Sequence, residues 1–168
     1  WSQAIPASAE ANRYVLQILI ALNRIDETGS LLRQDLAQSP SRAKATTLAA
    51  LPQMYGRVSD KALAAKVVEQ ALVDELGNPA TGPVALVSLG RLRLAAGDKS
   101  GALEAARKAQ TLDNASEDAA RLALILMEAG AADAEPLVTA ALAKQPIPVL
   151  RLDYALVFIG LQRYPEAQ

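Results

Sequence analysis

The chain contains no cysteine and no histidine, and phenylalanine and tryptophan occur once each. Without cysteine there is no disulfide framework, no thiolate nucleophile and no cysteine metal site. Without histidine the commonest metal ligand is missing, as is the side chain best suited to acid–base work near neutral pH. Aromatics make up 4% of the 168 residues although hydrophobic residues make up 51%, and alanine alone supplies roughly a fifth. Strands favour β-branched and aromatic residues whereas alanine is the best helix former, so the balance points to an all-α protein. The net charge of −1 argues against nucleic acid, which needs a concentrated basic face to neutralise phosphates. No apolar run approaches the roughly 18 residues of a spanning helix, and no signal peptide is visible.

Carboxylates occur in near pairs, Asp74-Glu75, Glu117-Asp118 and Asp133 with Glu135. Hydroxyls, carboxylates and basic groups nevertheless show no convergent arrangement of the kind a catalytic site requires. These acids read as helix caps, first-turn charges and solvated faces. Gly97-Asp98 lacks the glycine spacing of a phosphate-binding loop and reads as a helix–helix turn. Arg91 and Arg93 are expected to point different ways on one helix. The sequence therefore predicts no catalytic, cofactor or metal residues and a non-enzymatic chain.

What is present is a repeating pair of helices. Pro83 to Asn114 comprises an apolar helix, the Gly97-Asp98 turn and a second, alanine-rich helix. Upstream, Tyr14, Val15, Ile18, Leu19 and Leu22 recur at three- and four-residue steps over a helix predicted for Ala9–Asn23, with Ser8 as its N-cap. Asp26 is placed to cap its partner, which carries Leu31, Leu32 and Leu36. The next pair is predicted over Ser41–Tyr55 and Asp60–Leu76, with Ser59 as N-cap and with a kink or shortening at Pro52. Gly77 to Pro83 is a turn-rich insertion. After the Pro83–Asn114 pair, Ser116 caps a helix ending at Gly130, Asp133–Lys144 forms its partner, and Val149–Leu161 forms a last first-helix. The small residue opening each second helix recurs at Thr28, Ala64, Ala102, Ala134 and Ala167, in steps of 36, 38, 32 and 33. Pro40 follows Pro6 by 34 residues.

Leu86, Leu89-Gly90, Ala102 and Ala109 stand in order at the small and large apolar positions of a tetratricopeptide repeat (TPR), a helix–turn–helix unit of about 34 residues. Arg93, Ala106 and Asn114 depart from its tyrosine, phenylalanine and proline. The Arg163–Ala167 stretch (RYPEA) resembles the family's turn-and-entry sequence. The chain thus resembles a TPR protein along nearly its whole length. The resemblance implies a superhelical solenoid of about five repeats, over residues 9–40, 41–78, 83–114, 116–146 and a truncated 148–168, with 1–6 as the tail of a preceding helix. A four-helix bundle is the structural rival. The chain begins at Trp1 and ends one turn into a new helix, so it is expected to continue at both ends.

In this family the first helix of each pair lines a concave groove. Carried over, the groove receives Arg13 and Gln17, then Gln53 and Arg57, then Val84, Val87, Arg91 and Leu94. Leu124 and Met127 follow, and then Leu152, Leu156 and Ile159. Its N-terminal part is polar and its C-terminal part apolar. The last helix is apolar almost all round, which is expected either where further repeats cover it or where a partner segment docks. The lysine–asparagine clamp of carboxylate-binding TPR domains is missing. The resemblance implies a scaffold or adaptor for protein or peptide partners. As a whole the chain is similar to the large TPR lipoproteins of Gram-negative bacteria, in particular to adaptors that bring cell-wall hydrolases to a periplasmic carboxyl-terminal processing protease. That would imply a periplasmic chain, held at the outer membrane by an N-terminal lipid outside this sequence, with protease and hydrolase partners. A cytoplasmic regulator or assembly chaperone, or the docking arm of an enzyme whose catalytic domain lies elsewhere, remain the other readings.

Overall fold

The structure, a computed structural model, describes residues 9–161. The expectations for Pro6, Ser8, Arg163–Ala167 and the repeat position Ala167 lie outside the described residues. Within them the chain is all-α, with nine α-helices and no strand. They are α1 (Ala9–Ala21), α2 (Thr28–Gln38), α3 (Ser41–Met54), α4 (Lys61–Ala71), α5 (Gly82–Ala95), α6 (Lys99–Leu112), α7 (Glu117–Glu128), α8 (Glu135–Lys144) and α9 (Pro148–Gly160). Short 3-10 turns, Ile25–Glu27 and Ala132–Ala134, lead into α2 and α8. No helix among the described residues is long and apolar enough to cross a membrane.

The helices alternate between two layers. In one, α3 packs on α5, α5 on α7, and α7 on α9; in the other, α2 packs on α4, and α6 touches α8. Three turns between the layers share one device. Asn23, Gly97 and Gly130 have positive φ (58°, 84° and 90°). The next N–H in each case reaches back to the last turn, Arg24 to Leu19 C=O at 2.8 Å, Asp98 to Arg93 at 2.9 Å and Ala131 to Leu126 at 2.8 Å. This left-handed closure satisfies carbonyls that the helix end would otherwise strand. The small residues near the start of the second helix of each pair, Thr28, Ala64, Ala102 and Ala134, are all essentially buried. At Gly90, on α5, a β-carbon would lie 3.3 Å from Ala105 Cβ and 2.6 Å from Leu122 Cδ2. Helices α5 and α6 come close there because Gly90 and Ala105 carry little bulk.

Buried side chains form two clusters that meet at α5. Leu16, Leu32, Leu48, Leu51, Tyr55 and Val68 gather with Ala85 and Leu92 of α5. Leu86 and Val87 of the same helix join Leu122, Leu126, Val138, Leu150 and Phe158. Helix α5 is therefore buried on opposite sides, which explains its nearly unbroken apolar sequence.

Several local expectations change. Asp60, not Ser59, caps α4, accepting from Leu63 N–H at 2.9 Å. Asp26 makes no cap, because a 3-10 turn occupies its place and α2 starts at Thr28. There Thr28 Oγ1 donates to Ile25 C=O at 2.7 Å and accepts from the buried Tyr55 hydroxyl at 2.8 Å. Helix α4 stops at Ala71 rather than Leu76. The chain turns instead, and the buried Glu75 carboxylate accepts from Lys44 Nζ at 2.7 Å and Thr81 Oγ1 at 2.5 Å. That pairing ties the Gly77–Pro83 insertion to α3. Pro52 does not shorten α3, which at 14 residues equals α5. Its missing N–H would have bonded Leu48 C=O. That carbonyl accepts instead from the buried Ser88 hydroxyl of α5, at 2.7 Å. Ser116 caps α7 as expected, accepting from Ala119 N–H at 3.2 Å.

Candidate functional site

The layer formed by the odd-numbered helices is closed from α3 to α9 but open between α1 and α3. The residues facing each other there are small or polar, and Gln17, Ala21 and Gln53 cannot interdigitate as a leucine seam would. A cleft of about 780 Å³ results, lined by Gln17, Ile20, Ala21 and Asn23 from the α1 side and by Ala50, Gln53, Met54, Arg57 and Ser59 from the α3 side. It adjoins a recess of about 320 Å³ lined by Arg13, Leu16, Asp35, Ala43, Thr46 and Thr47, and the two share Gln17, Ala50 and Met54. Together they make one trough. Ile20 and Met54 pack on the N-terminal core and give it an apolar floor, while Gln17, Gln53 and Arg57 stand exposed along its rim.

A second recess, also of about 320 Å³, spans α5, α7 and α9, lined by Arg91, Arg121, Leu124, Ile125, Glu128, Asp153, Leu156 and Val157. Arg121 is engaged by Glu117 at 2.6 Å and Asp153 at 3.5 Å. Arg91 keeps a buried Nε with no hydrogen-bond partner. No family model matches the chain, and no curated protein matches it. The functional reading therefore rests on the geometry of these surfaces.

The structure brings Arg13, Gln17, Gln53 and Arg57 together along the α1–α3 trough. It puts Arg91, Leu124 and Leu156 around the second recess. Val87 and Met127 are core residues instead, buried between α5 and α7 with 4% and 2% exposure. The helical facing is rotated by about one residue there, so Arg121 and Ile125 take the outward positions. Val84 and Leu94 are half-buried and pack on opposite clusters. Leu152, Leu156 and Ile159 form an exposed stripe on α9 together with Val149. Tyr14, Ile18 and Leu22 are similarly exposed on α1.

Several of the paired acids have partners within the chain. Asp74 meets Arg33 at 3.2 Å, Glu75 meets Lys44 and Thr81, and Glu135 accepts from the Tyr154 hydroxyl at 3.0 Å. Arg93 turns away from Arg91 to Glu69 at 2.6 Å and Gly101 C=O at 3.0 Å. Among the described residues no three acidic side chains converge as metal ligands. Burial pushes the Glu75 carboxyl up, but the hydrogen bonds from Lys44 and Thr81 and the Lys44 charge outweigh it, leaving the group below its ordinary 4.5.

Asp35 is the site residue that sequence reasoning missed. It sits among Leu31, Leu32 and Leu36 on the apolar stripe of α2, at a spacing of three and four residues. An acid on that stripe was the available signal.

Proposed function

We propose that this chain is a non-catalytic interaction module, a TPR-like superhelical array that binds a partner segment in the trough between α1 and α3. The observation carrying this reading is the open trough itself, an apolar floor under polar, solvent-facing walls, in a layer otherwise closed by packing. Such a site suits an extended or helical peptide, whose apolar side chains reach the floor while its backbone meets the glutamines. The three left-handed turns and the buried small residues at helix crossings support the repeat reading. The finer reading is that the partners are a periplasmic processing protease and the cell-wall hydrolases it degrades, with the chain as their adaptor, as in the lipoproteins it resembles.

The absence of native cysteine makes the test clean, since one introduced thiol labels uniquely. Gln53→Cys carrying a photo-crosslinker should form specific adducts in envelope extracts that mass spectrometry identifies. Lys108→Cys, on the exposed side of α6, should not. Equal or absent adducts from the two positions would contradict the reading.

The α9 stripe favours a second role, as a packing face for further helices. The interior helices α5 and α7 bury most of their apolar residues, whereas α9 leaves Leu152 and Leu156 more than half exposed. Leu152→Asp with Leu156→Asp should leave trough crosslinking intact but loosen any helices laid on that face, read by hydrogen exchange.

A further inference from the structure

We propose that the Asp35 recess is an anchor for a basic side chain, a lysine or arginine of the segment lying in the trough. The proposal rests on the trough being the binding face and adds the chemistry of its occupant. Asp35 is 2% exposed, and neither of its carboxylate oxygens has a hydrogen-bond partner. Buried carboxylates are ordinarily paired, because leaving water without compensation is costly. The nearest cation, Arg13 Nε, stands 3.9 Å from Oδ2 with its side chain 47% exposed, beyond hydrogen-bond reach. Arg13 therefore forms a long ion pair with Asp35 and no hydrogen bond.

The space beside Asp35 is shaped for such a ligand. Leu16 and Met54 supply apolar wall for an aliphatic stem. The Thr46 hydroxyl donates to Arg42 C=O at 3.2 Å and so retains its capacity to accept. An ammonium or guanidinium brings donors only, which matches a carboxylate that can only accept. A hard metal ion fits poorly, since it takes about six oxygen ligands or more and Asp35 is the single carboxylate among the lining residues.

The test uses n-butylguanidinium as the probe and n-butylurea as its uncharged control, titrated into the chain and followed by amide NMR. The guanidinium should give saturable shifts at Thr46 and Thr47, and the urea none. Asp35→Asn should weaken the guanidinium about tenfold, the scale of one charge-assisted hydrogen-bonded contact. Thr46→Arg, which tethers a guanidinium at the recess, should abolish the probe's shifts and serves if Asp35→Asn does not fold. No saturable shifts in the native chain, equal affinity for Asp35→Asn, or unaltered binding to Thr46→Arg would each overturn the proposal. Crosslinking from Gln53→Cys separates the two readings. Adducts that form equally with and without Asp35→Asn sink the anchor and spare the trough. The trough itself falls if no adducts form.

Discussion

At the scale of single residues, the most telling feature is how a rule-breaking side chain finds its compensation elsewhere. Pro52 in α3 strands the Leu48 carbonyl, and Ser88, forty residues on, donates to it. Ser88→Ala should cost about 1–3 kcal/mol by leaving a buried acceptor unpaired. In a Pro52→Ala background the helix supplies its own N–H, so the Ser88→Ala loss should shrink by about 1 kcal/mol in a denaturation double-mutant cycle. Additive losses would contradict the link. Glu75 gives a pH signature. Its carboxyl is held below 4.5 when folded, so its contribution is complete above that value. It is lost as pH falls through the depressed folded value, because the unfolded state then binds more protons. Glu75→Gln should lower stability at pH 7 by about 1–3 kcal/mol and flatten the acid limb, measured by urea midpoints against pH. The proline was legible in the sequence; its rescuer was not, because the two residues meet only when α3 and α5 pack.

At the scale of elements, periodicity located the helices well. Apolar steps of three and four residues, with turn residues between them, marked each helix, and Gly97 and Gly130 stand where a left-handed turn needs glycine. Helix ends were less legible. Helix α4 stops early because Glu75 gains partners across the fold, which no local propensity records. Facing was not legible at α1, where Tyr14, Val15, Ile18 and Leu22 of the expected apolar stripe are exposed and Leu16 and Leu19 are buried. Nor was it at α7, where Met127 turned inward, since a one-residue rotation leaves the apolar pattern of an alanine- and leucine-rich helix almost unchanged. Gly90 tests the close crossing at α5. Alanine there gains about 1 kcal/mol of helix propensity. The added methyl would sit 2.6 Å from Leu122, inside a closed core, and such overpacking costs about 1–3 kcal/mol. Gly90→Ala should therefore lower the melting temperature, and a rise would show that the crossing has slack.

At the scale of the whole molecule, the chain is two apolar clusters joined through α5, with one layer left open near its N-terminal end. The all-α class followed from composition, and the polar-to-apolar drift along the first-helix face was visible in the residues. The trough was not, because it is a gap between α1 and α3 rather than a pattern within either. The central claim is that this gap holds the partner. Ala50 lines both of its parts and is half-buried on α3, so Ala50→Trp fills it without entering the core. The deciding measurement is the affinity of the crosslinked partner for Ala50→Trp against the native chain, at matched thermal stability. A loss of about tenfold or more is the predicted result, and an unchanged affinity would contradict the account.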